Sequence, residues 1–233
     1  GRLIAHLTAS GTYDPTLILF TSDHGEQMGD HWLLGKCGYF DQSYHIPLII
    51  RDPRRAADAS RGRVVDAFTE NVDVMPTILE WLGVDTPVAC DGESLLAFCR
   101  GETPDSWRDA AHFELDFRDS ADGDTRGAFG LAPDECAFAV IRGERYKYVH
   151  FTAMPPLLFD LSADPGELHN VAAHADFADI AFEYAGRLLS WRMNHTDRAL
   201  TNYRITPDAL LDTRGPRRSA GALARASREV PQP

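Results

Sequence analysis

The sequence has few lysines, no paired cysteines, no excess of positive charge and no long apolar segment. Only Lys36 and Lys147 are lysines among its 23 basic residues, and the formal net charge is −12. Because proteins that bind nucleic acid usually carry a basic surface, this balance argues against such a partner. No apolar run approaches the roughly 20 residues that a membrane-spanning helix needs. We therefore expect neither nucleic acid nor a membrane among its partners.

The four cysteines, at positions 37, 90, 99 and 136, show no Cys-x-x-Cys spacing. This pattern gives no support to a cysteine-based zinc site, and a chain of this length does not need a disulfide framework. Buried or free thiols are the simplest interpretation. No signal peptide is visible, but the chain begins at Gly1 inside a helical pattern, so we expect the natural N-terminus to lie upstream. We expect a cytoplasmic location.

The first hundred residues have the pattern of an α/β protein. The predicted elements are a helix at 1–10, a strand at 16–21, a strand at 45–50 and a helix at 71–83. The apolar run at 16–21 is nearly continuous, which is typical of a strand covered on both faces in a parallel sheet. Asp73 is a candidate N-cap and Gly83 a candidate end of the last helix. We assign residues 1–106 to this α/β core.

The pattern changes after about residue 107 to short strands followed by one long helix. The predicted strands are 111–117, 136–141, 145–151 and 157–161, and an amphipathic stripe predicts the helix over 177–191. We therefore expect a small antiparallel subdomain over 107–205. Lys147 is expected on the surface of its sheet. Residues 206–233 lack an apolar stripe and are predicted to form a mobile tail.

Asp23 and His24 stand immediately after the first predicted strand. A carboxylate oxygen and an imidazole nitrogen can ligate a divalent cation such as Mn²⁺, Zn²⁺, Mg²⁺ or Ca²⁺. Two ligands are too few for a complete site, so others must come from elsewhere. The alternative is an ordinary strand end, where Asp23 caps the next turn. Gly25 is expected to let the backbone turn sharply after the pair.

A Gly-rich loop after this pair carries two further candidates, Lys36 and His31. Lys36, flanked by glycines, would neutralise a tetrahedral oxyanion and donate hydrogen bonds to its oxygens. His31 would polarise a leaving group or act as an acid. The alternatives are a solvated surface charge at Lys36 and a structural role for His31. Aromatic side chains of the same loop could wall a substrate pocket or fill the loop's own small core: Trp32, Tyr39, Phe40 and Tyr44.

Several motifs together resemble the sulfatases of the alkaline-phosphatase superfamily, and most closely the phosphonate monoester hydrolase and arylsulfatase branch. The motifs are T-S-D-H-G-E-Q-M-G-D-H at 21–31, L-G-K-C-G-Y-F-D-Q-S at 34–43, I-P-L-I-I at 46–50, Y-K-Y at 146–148, L-F-D-L at 158–161 and D-P-G-E-L-H-N at 164–170. The resemblance extends over about residues 1–205, and the motifs are jointly specific.

The resemblance implies a fold, a mechanism and a cofactor. The fold would be part of an alkaline-phosphatase-like mixed or parallel sheet flanked by helices, followed by a small antiparallel sheet packed with one long helix. Asp23 and His24 match metal ligands of the family, with Mn²⁺ or Ca²⁺ as the expected ion. Lys36 matches the lysine that contacts sulfuryl or phosphoryl oxygens. The substrate would be a small sulfate, phosphonate or phosphate ester, and the full-length protein could be a homo-oligomer.

The sequence departs from the family at the nucleophile, which is a formylglycine made from Cys or Ser in a C/S-x-P/A-x-R motif. No cysteine or serine of this chain stands in that motif. We expect the chain to be the C-terminal portion of a hydrolase, inactive alone. The competing hypothesis is a catalytically inactive protein that binds a partner or has a structural role. A phosphomutase or phosphoethanolamine transferase of the same superfamily is disfavoured by the motifs at 34–43 and 164–170.

Overall fold

A computed structural model describes residues 1–36, 38–87, 89–118, 129–196, 203–205 and 210–212. The chain divides into two compact units between Trp107 and Arg108. The predicted mobile tail at 206–233 lies outside the described residues, apart from the short strand Leu210–Asp212. Within the described residues, no helix is both long enough and apolar enough to cross a bilayer.

The first unit combines short helices with two pairs of strands. Its helices are α1 (Arg2–Ala9), α2 (Asp41–Tyr44), α3 (Val74–Leu82) and α4 (Leu96–Cys99), and its strands are β1 (Ile18–Thr21), β2 (Gln27–Met28), β3 (Leu34–Gly35) and β4 (Leu48–Arg51). Single turns of 3-10 helix lie at Asp30–Trp32 and Asn71–Asp73, and a longer one at Arg55–Ser60. Strand β1 pairs with β4, and β2 pairs with β3. The predicted mixture of helices and strands is confirmed for this unit.

The parallel pairing predicted for the strand before Asp23 is wrong for the pair that forms. Strand β1 runs antiparallel to β4, with Phe20 opposite Ile49. These two side chains are 57% and 62% exposed, so one face of the ribbon is open to solvent among the described residues. A continuous apolar run indicates a strand suited to burial, but it does not specify the direction of the neighbouring strand.

Helix α3 begins later than predicted, and Asp73 acts differently from a simple N-cap. The Asp73 carboxylate is buried and accepts hydrogen bonds from the backbone N–H groups of Glu70 (2.8 Å) and Glu93 (2.9 Å). It therefore ties the turn before the helix to a distant loop. The end of the helix is as predicted, because Gly83 adopts a left-handed conformation (φ 71°) that closes the last turn.

Asp52 anchors the chain directly after β4. Its buried carboxylate receives the guanidinium of Arg54, with Nη2 to Oδ2 at 2.7 Å, and the indole N–H of Trp81 at 3.3 Å. Burial alone would raise the pKa of the Asp52 carboxyl, but the hydrogen bonds and charge of Arg54 outweigh it and hold this pKa below its usual value. The loop that leaves β4 is thereby held at a fixed point.

The second unit is a four-stranded antiparallel sheet covered by one long helix, as predicted. The strands are β5 (Ala110–Asp116), β6 (Ala137–Gly143), β7 (Tyr146–Phe151) and β8 (Leu157–Asp160), in the order β5-β6-β7-β8, and the helix is α5 (Ala178–His195). Strands β9 (Tyr203–Ile205) and β10 (Leu210–Asp212) form a separate antiparallel pair. The core between sheet and helix consists of Ala110, Ala139, Ile141, Tyr148, Leu158, Tyr184 and Leu188.

Lys147 does not lie on the sheet surface, where the sequence analysis placed it. Its side chain is fully buried, and its ammonium forms an ion pair with the buried carboxylate of Glu167. The ammonium also lies 5.7 Å from the centre of the Phe113 ring, within reach of a cation–π interaction. Glu167 itself has a positive φ of 55°, an uncommon conformation for a residue with a side chain. The same residue, Glu167, thus carries both the buried ion pair with Lys147 and the positive φ.

Candidate metal centre and substrate cation

Asp23 and His24 lie in the loop that directly follows β1. The Oδ2 atom of Asp23 is 3.6 Å from Nε2 of His24, and the two side chains are 86% and 34% exposed. Both groups are therefore accessible, and they point to a shared position. One carboxylate oxygen and one imidazole nitrogen at this separation suit a divalent cation that both could contact.

The ring of His24 is held in one tautomer by the backbone. Its Nδ1 atom lies 2.6 Å from the carbonyl oxygen of Gly25. A carbonyl oxygen can only accept a hydrogen bond, so Nδ1 carries a proton, and in the neutral ring Nε2 then keeps its lone pair. Metal-bound histidines in proteins commonly donate their other ring N–H to a carbonyl in this way. The nitrogen nearest Asp23 is thus the ring atom that could bind a metal.

Asn71 lies far from this loop in the sequence but forms two side-chain hydrogen bonds where it begins. Its Nδ2 atom donates to the carbonyl of Ser22 (2.8 Å), and its Oδ1 atom accepts from the hydroxyl of Thr21 (3.2 Å). The Ser22 hydroxyl in turn donates to the carbonyl of His24 (2.7 Å). Nothing in the sequence points to Asn71, because it lies 49 residues from Ser22 and no local pattern connects them.

A backbone seam joins the residues after His24 to the end of the Gly-rich loop. Gly25 N–H donates to the carbonyl of Ser43 (2.8 Å), and Glu26 N–H donates to the carbonyl of Gln42 (2.9 Å). A Cβ atom at Gly25 would collide with the Gln42 carbonyl. Gly25 does not have a positive φ, so a left-handed conformation is not the reason for glycine here. Glycine is required here because two backbones approach closely.

Lys36 directly follows β3, the second strand of the hairpin that begins three residues after His24. Gln27 pairs with Gly35 in this hairpin, and the described pairing ends there, one residue before Lys36. The hairpin therefore brings Gly35, the neighbour of Lys36, opposite a residue only three positions after His24. The Lys36 side chain is exposed and makes no ion pair within the part of the chain that the structure describes. The amine is available to an anionic ligand.

His31 lies at the tip of the hairpin and packs against an aromatic ring. Its imidazole stacks on Phe40 with ring centres 3.5 Å apart and an interplanar angle of 5°. Both His31 and Trp32 have positive φ values, 51° and 58°. The stack supplies a packing reason for His31, which agrees with its alternative, structural interpretation. A catalytic role for His31 stays a prediction.

The Asp23–His24 pair fits part of a metal site rather than a whole one. Among the residues described, no cluster of three or more His, Cys, Asp or Glu side chains is close enough to hold a metal ion. An oxygen ligand beside a single imidazole suits Mn²⁺ or Ca²⁺ better than a site of sulfur ligands would. A metal bound here needs ligands in addition to Asp23 and His24.

Comparisons with known proteins show what the whole chain is similar to. The sequence model of the family described as "N-sulphoglucosamine sulphohydrolase, C-terminal" matches residues 29–194. A multifunctional alkaline phosphatase superfamily protein, PehA, of Trinickia caryophylli is 51% identical over 210 residues, which cover 90% of this chain and 40% of that protein. An N-acetylglucosamine-6-O-sulfatase of Bacteroides thetaiotaomicron is 31% identical over 182 residues, covering 76% of this chain and 30% of that protein.

A solved structure shows the same fold. The phosphonate monoester hydrolase of Agrobacterium radiobacter superposes with a TM-score of 0.82 at 49% identity, over 92% of this chain and 42% of that one. The predicted alkaline-phosphatase-like fold class is therefore confirmed. The chain spans about 40% of the length of these two relatives, PehA and this hydrolase.

Proposed function

The chain belongs to the sulfatase family of the alkaline phosphatase superfamily, and we propose that it forms the C-terminal part of a metal-dependent hydrolase of sulfate, phosphonate or phosphate esters. The observation that carries this proposal is the His24 ring, whose Nδ1–H is held by the Gly25 carbonyl while Nε2 lies 3.6 Å from the Asp23 carboxylate. This arrangement prepares two ligands for one divalent ion.

Asp23 and His24 would hold the metal, with Mn²⁺ or Ca²⁺ as the expected ion. When bound, such an ion stabilises negative charge on the oxygens of a sulfuryl or phosphoryl group. The Gly25 carbonyl keeps the proton of His24 on Nδ1, so that Nε2 stays available as a ligand. The carboxylate of Asp23 adds a negative charge that favours a cation at this position.

Lys36 would act on the ester rather than on the metal. Its exposed side chain directly follows β3 of the hairpin. A positive charge there would attract the anionic ester and stabilise the charge that develops on its equatorial oxygens. The nucleophile, expected to be a formylglycine, would come from residues other than these 233, because the C/S-x-P/A-x-R motif does not occur among them.

The first test compares the 233-residue chain with the natural protein that contains it. We expect the natural protein to hydrolyse nitrophenyl sulfate or a phenylphosphonate monoester, and to lose this activity after treatment with a chelator. The chain alone is expected to show no turnover above background, because it lacks the nucleophile motif. Metal-dependent turnover by the isolated chain would contradict the second expectation. A natural protein that folds and binds metal without turnover would favour the alternative, a binding or structural role.

Replacing Lys36 with alanine in the natural protein is expected to lower kcat by about 100- to 1,000-fold, as loss of one charge-stabilising group commonly does. Metal content, measured by elemental analysis of the purified protein, is expected to stay unchanged, since Lys36 contacts substrate oxygens. Arg55→Ala removes another exposed cation of the same unit and serves as the control. Wild-type kinetics in Lys36→Ala would assign Lys36 to an ordinary surface position.

A further inference from the structure

Gln27 is a buried polar residue three positions after His24. Only 1% of its surface is exposed, although Glu26 and Met28 on either side are exposed. Its Nε2 atom donates to the hydroxyl of Ser43 at 3.2 Å, and Ser43 is buried to the same degree. Two polar side chains are thus paired beneath the hairpin that leads from His24 to Lys36.

The Gln27–Ser43 hydrogen bond lies beside the two backbone hydrogen bonds of the seam, which orient His24. The carbonyl of Gly25 and the N–H of Glu26 belong to one planar peptide unit, so they point in opposite directions. Because Glu26 N–H is bound to the Gln42 carbonyl, the Gly25 carbonyl is turned toward Nδ1 of His24. The Gln27–Ser43 hydrogen bond ties the residue that follows Glu26 to Ser43, whose carbonyl already accepts from Gly25 N–H. The position of the imidazole therefore depends on the seam staying closed.

The unsatisfied atoms of this region indicate that Gln27 is not present for packing alone. The Oε1 atoms of Gln27 and Gln42 are both buried and, within the described residues, have no hydrogen-bond partner. A buried acceptor without a partner is destabilising, and an apolar side chain of the same size would avoid that cost. An amide at position 27 is therefore best explained by the one hydrogen bond it does make, to Ser43.

We propose that Gln27 and Ser43 are positioning residues for the metal ligand His24, acting through the Gly25–Glu26 peptide. This inference rests on the proposed function, because it assigns a purpose to the fixed ring of His24. Neither residue touches the metal or the substrate. Their loss is expected to free the Gly25 carbonyl, and with it the His24 ring, while leaving both metal ligands in the sequence.

The test measures the Kd for Mn²⁺ of the metal-free natural protein, by equilibrium dialysis. We expect Gln27→Leu and Ser43→Ala each to weaken Mn²⁺ binding by about tenfold, at the lower end of what loss of an outer hydrogen-bond partner costs. The double variant is expected to be no weaker than either single one, because both remove the same hydrogen bond. Ser43→Thr keeps the hydroxyl that accepts this hydrogen bond and adds no charge, so it is expected to keep the wild-type affinity for Mn²⁺.

Met28→Ala is the matched control, since Met28 is the next residue of the same strand and its side chain is exposed. Its affinity for Mn²⁺ is expected to match that of the wild type. Wild-type affinity in Gln27→Leu, or additive losses in the double variant, would overturn the positioning role and leave the proposed function standing. A wild-type protein that binds no Mn²⁺ or Ca²⁺ would instead overturn the proposed metal site itself.

Discussion

Replacing Asp23 with alanine is expected to remove bound metal and hydrolytic activity together from the natural protein. Asp23 supplies the only carboxylate within an ion-pair distance of His24 among the described residues. Loss of a direct ligand should weaken metal binding by more than the about 10- to 100-fold that an outer hydrogen-bond partner costs. Since a bound metal contributes several kcal/mol to transition-state stabilisation, turnover should fall by about a thousandfold or more.

The measurement is the metal content per protein molecule, taken beside kcat/KM on the same preparation. Asp30→Ala is a suitable control, because it removes an exposed carboxylate from the same hairpin without touching the pair. An Asp23→Ala protein that keeps its metal would remove Asp23 from the set of ligands. If activity is lost while the metal is retained, Asp23 acts on the substrate and is not a metal ligand.

The largest effect on stability is expected from breaking the Lys147–Glu167 ion pair. In Lys147→Met the Glu167 carboxylate stays buried within the second unit with its cationic partner gone. Removing one member of a buried pair typically costs about 3–5 kcal/mol, since the remaining charge has lost its compensation. We therefore expect the free energy of unfolding, measured by urea denaturation, to fall by about this amount.

A second variant separates the buried charge from the shape of the side chain. In Lys147→Met combined with Glu167→Leu, no unpaired charge remains, and such replacements are often neutral. The double variant is therefore expected to recover most of the lost stability. Glu144→Ala, an exposed change in the adjoining hairpin turn, controls for surface charge. A loss of unfolding free energy below about 1 kcal/mol in Lys147→Met would be the size typical of an exposed ion pair. It would show that the Glu167 carboxylate contacts water or another partner in the variant.

The position of Asp23 and His24 after a strand could be predicted because local sequence determines where they lie. An apolar run that ends at Asp23 and His24 predicts a strand followed by exposed polar side chains, and β1 ends at Thr21 as this pattern requires. The left-handed end of α3 at Gly83 was likewise predictable from one glycine. Such features depend on residues close together in the chain, whose conformational preferences act independently of the rest.

The features that were wrong or missed depend on residues far apart in the chain. Lys147 stands between two aromatic residues in a strand, which suggests a solvated side chain, and its partner lies 20 residues later. The antiparallel direction of β4 relative to β1 is decided by pairing across the loop between them. Asn71 and Ser43 contribute through hydrogen bonds that no periodicity in the sequence records. Tertiary contacts of this kind override local preference.

The exposed face of the β1–β4 ribbon has a practical consequence for handling the chain in the laboratory. Phe20 and Ile49 stand side by side on that face, and open strand edges carrying large apolar groups pair readily with other copies. The 233-residue chain should therefore be handled at low protein concentration and as a fusion to a solubility-enhancing protein. Light scattering before each metal titration would distinguish a loss of binding sites from simple precipitation.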